Sequence, residues 1–443
     1  MDFSTSEEAF GYIESFTNLE KAPNLTAREY RLDRMFALLP LFGDPQNSFK
    51  SIHVAGSKGK GSTAAFIAGI LSANRIRTGL YCSPHVQTYK ERISMAGTFF
   101  DESLYISCAS EMISVLETVD GGSSLPGGLP TTFELLTLLS FLIFRESGCS
   151  WAVFETGLGG RLDATNVITP EASVLTLIEL EHTEYLGETI AEIAGEKAGI
   201  IKPGVPVFSA QQNPDAEAVF RNTAKTRNSE IFFPGDLIRK LSSVKSEDTG
   251  FSQDVLLCLN SGAELGFSLT QPGFFQAENA ALAVSALEHL KKNKLPQINL
   301  ISGISQTSLP GRMEKFFSKE GPIVILDGAH TPKSIKLSVE AFFETSGEPD
   351  ATLLFGAVEG KDIREMARVL KGIFQKILIS TPGAFKKNNP DEVYRIFKET
   401  GINAELEKNP AEALRKALSP GRPVFVTGSF YMVSEIRKLL TRE

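Results

Sequence analysis

Lys60 stands in a run of small residues, HVAGSKGKGST over 53–63, between a short apolar stretch and the helix-like AAFIAGIL. A strand, a glycine-rich turn and a helix start in that order make a cradle for phosphate. Backbone N–H groups and the positive helix end meet the anion, and a lysine adds a mobile charge. The strict P-loop spacing is not met: Val54 holds the place of its first glycine, and Gly61 follows the lysine directly. A tight turn alone explains the glycines by their access to positive φ, but not Lys60 and Ser62 together. The candidate phosphate contacts are Gly56, Ser57, Lys58, Gly59, Lys60, Gly61 and Ser62.

Other segments carry chemistry in the same style. In FETGLGGRLDATN over 154–166, Glu155 closes an apolar strand, where open α/β sheets place ligands. A carboxylate there suits Mg²⁺, which takes few protein oxygens and keeps water and phosphate for the rest. In ELEHTEYLG over 179–187, His182 follows another strand beside acidic residues. A lone histidine is usually a satisfied surface or core residue, but this position at the sheet's carboxyl end favours ligation. Lys197 lies in AGEKAGIIKPG over 194–204, among small and apolar residues. It is either a solvated helix charge or, turned inward, a phosphate ligand or a modified acidic one. Finally, ILDGAHTP over 325–332 runs from strand into turn, so that Asp327 and His330, with Arg312 upstream, supply an anion, a titratable ring and a cation.

These segments need a scaffold of parallel strands. Candidate strands fall at 51–55, 78–81, 151–155, 173–177 and 205–209, with helices at 102–119, 132–146, 189–200 and 214–226 between them. Such alternation predicts a parallel sheet covered on both faces. Residues 121–130, GGSSLPGGLP, read as a mobile loop close to a ligand, residues 237–269 as a β-like addition, and 277–295 as helix. A second series follows, with strands at 323–326, 352–355, 376–380 and 423–427 separated by helices. The reading is two domains, 1–304 and 305–443, with a hinge about 300–312.

The 443 residues exceed one ordinary core, and 42% apolar with 22% charged residues is a globular balance. A net charge of −8 argues against nucleic acid as partner, while a local basic patch still serves a nucleotide. No apolar run approaches a membrane span, and the acidic start lacks a signal peptide's pattern. Four scattered cysteines fit a reducing cytoplasm.

Taken together, HVAGSKGKGST, Ser83-Pro84-His85 with Glu91-Arg92-Ile93, ETGLGGRLDATN, EHTEYLG, GEKAGIIKPG, FQAENAA, LPGRME, DGAHTP and the terminal TGSFY resemble, in order, the folylpolyglutamate synthases and bifunctional dihydrofolate synthase/folylpolyglutamate synthases of the Mur ligase superfamily. The resemblance implies a P-loop-type doubly wound ATP-binding domain followed by a smaller Rossmann-like α/β domain. It implies that Lys60 and its loop hold the ATP phosphates, and that Ser83, Glu155 and His182 ligate magnesium. Lys197 resembles a lysine carbamylated in this family, which helps hold a second Mg²⁺. Asn279, Arg312, Asp327 and His330 resemble nucleotide contacts, and His85, Arg92, Ser429 and Tyr431 are candidate substrate contacts. Lys60, His182 and Lys197 carry the catalytic assignment. Three departures stand out: Glu181 where the family commonly has Asp, Thr331 where it has Asn, and Ser57-Lys58 where many bacterial relatives have Thr-Asn.

The implied reaction moves the γ-phosphoryl of ATP to a folate or dihydropteroate carboxylate, and the amine of L-glutamate then attacks the acyl phosphate. The expected enzyme is a cytoplasmic monomer using ATP and two Mg²⁺, with no nucleic-acid or membrane partner. The alternatives are a Mur-type ligase for another acid and amine, or a P-loop kinase or NTPase.

Overall fold

The computed structural model describes residues 3–18, 31–246, 252–291, 295–317, 321–346 and 350–441. The chain divides into two compact units. The first comprises Met1–Leu241, Leu256–Phe267 and Glu278–Ser308, and the second Ser242–Val255, Ser268–Ala277 and Leu309–Glu443.

The first unit is built on seven strands: β1 (Lys50–Ala55), β2 (Thr78–Tyr81), β3 (Ile93–Met95), β4 (Trp151–Glu155), β5 (Ala172–Leu175), β6 (Val207–Ser209) and β7 (Ile231–Phe232). Their order is β3-β2-β4-β1-β5-β6-β7. Neighbours pair in parallel throughout, except that β3 runs antiparallel to β2. The central strands are buried on both faces, as a helix-covered parallel sheet requires. The short edge strands Ile93–Met95 and Ile231–Phe232 lack the length and alternation that make a strand legible in sequence.

Order matters more than strand count. Val54 of β1 is in register with Glu155 of β4, Ala55 with Leu175 of β5, and Tyr81 of β2 with Phe154 of β4. The carboxyl edge therefore presents Ser83, Glu155, Gly56 and the segment after Leu175 side by side. That is the switch-point position at which open α/β sheets bind ligands. The helix Lys60–Ala73 is buried on nearly all sides, which fits its lack of a polar face. Beneath the edge, Phe154 packs against Phe141, Phe144 and Tyr81, with ring centroids 5.2, 5.7 and 6.0 Å apart. Each such ring, fully buried, contributes about 1.5–3 kcal/mol.

The helix Thr132–Glu146 starts at a capping box: Thr131 Oγ1 accepts from Glu134 N, and the Glu134 carboxylate accepts from Thr131 N. The same carboxylate pairs with the buried Arg34 through both oxygens, at 2.8 and 3.0 Å. Arg34 Nη1 also donates to the Gly127 carbonyl at 3.2 Å, which pins the end of the glycine-rich stretch 121–130.

A three-stranded sheet, order β10-β9-β8, is formed by β8 (Ile238–Lys245), β9 (Gln253–Leu259) and β10 (Glu264–Leu269). The second unit carries β11 (Glu314–Phe316), β12 (Val324–Leu326), β13 (Thr352–Phe355), β14 (Lys376–Ile379), β15 (Glu405–Leu406) and β16 (Val424–Thr427), in the order β11-β12-β16-β13-β14-β15. All pairs but β11–β12 are parallel. Residues 300–305, expected within a hinge, belong to the helix Gln297–Ser305, because Leu300 and Ile304 are buried one turn apart. Among the described residues no helix is long and apolar enough to cross a membrane.

Candidate functional site

The turn after β1 is shaped by close approach. Gly56 has φ 152°, and a Cβ there would lie 1.9 Å from Thr176 Oγ1. Gly59 has φ 87°, and its Cβ would lie 2.3 Å from Asn279 Oδ1. Neither position admits a side chain, so Thr176 and Asn279 pack directly against the backbone of the turn. Asn279 also accepts from Thr63 Oγ1 at 3.5 Å, which ties the helix Phe274–Leu290 to the turn.

Ser57 and Lys58, candidate phosphate contacts, have their amides engaged within the protein. Both donate to the Leu177 carbonyl, at 2.9 and 3.1 Å, in a bridge between the turn and the segment after β5. Ser57 Oγ donates to the Glu179 carbonyl. The amides of Lys60, Gly61 and Ser62 precede the first internal bond of the helix, Thr63 N to Gly59 O, and belong to the first turn, whose donors a helix leaves without an internal partner. His53, in the strand before the turn, is structural. Its Nε2 lies 2.8 Å from Thr165 Oγ1, and burial holds its pKa down at about 3, so the ring is neutral.

Lysines crowd this turn. Lys60 Nζ donates to the Gly56 carbonyl at 2.9 Å, and Lys197 Nζ donates to the same carbonyl at 2.8 Å. Lys197, read as either solvated or inward, is inward: it is 1% exposed. Burial first, then the Lys60 charge, pull its ammonium down to about 8, against the opposing pull of Glu181. Glu181 lies 3.2 Å from Lys197 Nζ and 3.6 Å from Lys58 Nζ. Burial alone would push its carboxyl up, but Lys60, Lys197, Lys58 and His182 outweigh burial and hold it at about 2.

Along the same edge, Glu155 is buried and accepts from Ser83 N at 3.0 Å. His182 is exposed, with φ 49°, a left-handed conformation in which its carbonyl accepts from Tyr185 N and Leu186 N. Such a backbone in a non-glycine residue is a recurrent mark of a functional position. Among the described residues no three His, Cys, Asp or Glu side chains converge as a metal cage. The donor chemistry still fits Mg²⁺, which needs one or two carboxylates and takes its remaining oxygens from phosphate and water.

His85 Nδ1 accepts from Arg92 Nε at 2.8 Å, and Tyr89 lies against both, 4.2 Å from the His85 ring and 5.3 Å from the Arg92 guanidinium. Asp163, assigned no role from sequence, organises the loop after Glu155. Its carboxylate accepts from Gly157 N, Leu158 N, Thr165 N and Thr165 Oγ1. The only hint in the sequence was its place within the glycine-rich motif.

In the second unit, Asp327 is buried and accepts from Met313 N, Ala329 N and Ser338 Oγ, while burial pushes its pKa up. Its carboxylate braces the turn that carries His330, whose Nδ1 lies 2.8 Å from the Gly328 carbonyl. The Arg312 guanidinium stacks 5.4 Å over Phe430. Thr331 Oγ1 accepts from Ser334 N, so the departure from Asn keeps a capping group ahead of the helix Pro332–Ser346. The Ser429 hydroxyl donates to the Gly356 carbonyl and accepts from Met432 N, and Tyr431 stacks on Phe385. Past Gly356 a cavity of about 250 Å³ opens, lined by Glu359, Lys361, Arg364, Asn389 and Glu392 among others. Sequence reading singled out none of these, because mixed charges on a loop and two helix starts look like ordinary surface.

A phosphate-binding turn on a switch-point sheet, followed by a second α/β unit, defines a nucleotide-using enzyme of the ligase type. Residues 54–287 match the Mur ligase middle domain, and residues 311–430 the Mur ligase glutamate ligase domain. The chain is 32% identical over 426 residues to the dihydrofolate synthase/folylpolyglutamate synthase of Bacillus subtilis, covering 92% of this chain and 94% of the relative. It is also 32% identical to the folylpolyglutamate synthase of Lacticaseibacillus casei, over 98% of both chains. A solved folylpolyglutamate synthase from Mycobacterium tuberculosis, complexed with ADP, superposes with a TM-score of 0.87 at 26% identity, covering 99% of each chain. The chain belongs to the folylpolyglutamate synthase and dihydrofolate synthase family of Mur ligases.

Proposed function

We propose that this protein is an ATP-dependent ligase that adds L-glutamate to the carboxylate of folates and of dihydropteroate, releasing ADP and phosphate. The observation that carries the reading is the gathering of Lys60, the Gly56 turn, Glu155 and Lys197 on one carboxyl edge. A carboxylate is unreactive toward amines, so the reaction starts by moving the γ-phosphoryl of ATP to it. The glutamate amine then displaces phosphate from the acyl phosphate. Lys60 and the amides of Lys60, Gly61 and Ser62 hold the phosphate oxygens as charge shifts among them. Asn279, Arg312, Asp327 and His330 complete the assignment to nucleotide, with Asp327 acting by bracing the His330 turn. Ser83, Glu155 and His182 would hold Mg²⁺, and Lys197 as its carbamate a second ion. Bound magnesium neutralises charge on the transferring phosphoryl group. His85 and Arg92 are assigned to the pterin substrate. We place the hinge near 306–312, after the helix Gln297–Ser305, and the enzyme in the cytoplasm as a monomer.

The cavity past Gly356 is assigned to the incoming glutamate, since Lys361 and Arg364 suit carboxylates and Glu359 and Glu392 suit an ammonium. Ser429 then acts by fixing Gly356 through its 2.7 Å bond, rather than by touching the amino acid. Lys361→Ala is expected to raise KM for glutamate by roughly ten- to a hundredfold, the value of one hydrogen bond to a charged group, while KM for ATP stays within about twofold. Steady-state kinetics with each substrate varied in turn separate the two.

The test of the reaction is ADP release measured with tetrahydrofolate or dihydropteroate, with and without L-glutamate. Release that requires a pterin and glutamate together is expected. Full-rate release without glutamate identifies an NTPase, and silence with every pterin identifies a ligase for another acid.

A further inference from the structure

Arg312 leaves the chain between two residues of left-handed backbone, Gly311 at φ 65° and Met313 at φ 52°. Glycine adopts that conformation freely, but for a methionine it is an outlier that persists only where the surroundings over-determine it. Here they do. Met313 is fully buried and its N–H donates to Asp327 Oδ2 at 3.0 Å, while Gly328 N donates to the Gly311 carbonyl at 2.8 Å. Gly311 N in turn donates to Glu314 Oε2 at 2.8 Å, and Arg437 Nε donates to both oxygens of that carboxylate, at 2.9 and 3.0 Å. The Glu314 and Arg437 side chains are only 17% and 18% exposed, so water screens the pair weakly. Arg437 lies two turns beyond Phe430, on the same face of the helix Phe430–Leu440. Phe430 carries the Arg312 guanidinium 5.4 Å over its ring and lies against Gly328, where a Cβ would come 2.6 Å from it. One helix face therefore holds the turn at Glu314 and its guanidinium at Phe430.

We propose that Glu314 and Arg437 are positioning residues for Arg312: their ion pair closes the 311–314 turn and sets the guanidinium over Phe430 before nucleotide arrives. Without the pair, Gly311 loses its acceptor, Met313 relaxes toward ordinary torsions and Arg312 swings off the ring. An arginine side chain loses much rotamer freedom when it is fixed, and a turn that has already fixed it spares nucleotide binding that loss. The inference rests on the assignment of Arg312 to nucleotide above and deepens it.

Calorimetric titration of the full chain with Mg²⁺ and a β,γ-methylene analogue of ATP tests it, with KM for L-glutamate measured alongside. Arg312→Ala is expected to weaken analogue binding roughly ten- to a hundredfold, the value of one hydrogen bond to a charged group. Glu314→Ala is expected to weaken it about tenfold, and to add less than about twofold once Arg312 is already alanine, because the pair acts through that side chain. KM for glutamate, whose assigned cavity belongs to the same unit, should stay within about twofold in Glu314→Ala. A merely structural role would raise that KM too, and would weaken analogue binding equally with and without Arg312. Either of those results, or unchanged binding by Glu314→Ala, overturns the inference and leaves the assignment of Arg312 to nucleotide standing. Unchanged binding by Arg312→Ala overturns both. Failure of the unaltered chain to bind the analogue overturns the whole nucleotide reading with them. Should Glu314→Ala fail to fold, Arg437→Met carries the same expectations and the same refutations.

Discussion

Lys60→Ala is expected to lower kcat by roughly 10²–10³, the cost of losing one charge that stabilises a developing transition state. The ammonium stands at the head of the helix Lys60–Ala73 and rests on the Gly56 carbonyl at 2.9 Å, so it needs little movement to meet a phosphate above the turn. ADP affinity should fall far less than kcat, because a contact made mainly in the transition state contributes little to binding. Lys60→Arg should recover only a small part, since a planar fork replaces a compact point charge. Single-turnover rates with saturating ATP isolate the chemical step. An alanine variant with unchanged kcat would remove Lys60 from the chemistry, whatever happened to its melting temperature.

The second large effect is on stability. Arg34→Met leaves Glu134 buried without its cation, and removing one partner of such a pair costs about 3–5 kcal/mol. The Arg34 side chain is 1% exposed and that of Glu134 5%, so water cannot replace the lost contact. Burial already pushes the Glu134 carboxyl above its ordinary range, against the pull of Thr131 and Arg34. In the variant the folded pKa rises further above the unfolded one. The neutral acid is then tolerated at low pH, and stability is lost as pH rises through the folded value. Denaturant melts should therefore show a deficit that is larger at pH 8 than at pH 5. Arg34→Met with Glu134→Gln should recover most of the loss, because no charge is left buried. A single variant as stable as the double one at pH 8 would mean that the pair contributes nothing. Because Arg34 also holds the Gly127 carbonyl, the single variant should loosen the 121–130 stretch, visible as faster amide exchange there.

Much of this molecule is legible in its letters. The glycine-rich turn, the apolar strands ending at Ala55 and Glu155, and the order of the motifs identify the family, since each is a local pattern with a local cause. The shortest edge strands were not legible, for two or three residues carry no period.

What the chain's own pattern determined is the inventory: a phosphate turn, acids and a histidine at strand ends, and helices to cross between parallel strands. Tertiary structure decided which of these meet. The order β2-β4-β1-β5 sets Glu155 beside Gly56 although about a hundred residues separate them. Lys197 became a buried ammonium on the Gly56 carbonyl because its helix packs against the turn, which no periodicity within that helix specifies. The diversion of the Ser57 and Lys58 amides to Leu177, and the reach of Glu181 across two lysines, have the same origin. Local sequence sets torsions and faces, whereas hydrogen bonds and charges act over a few ångströms of space between residues far apart along the chain.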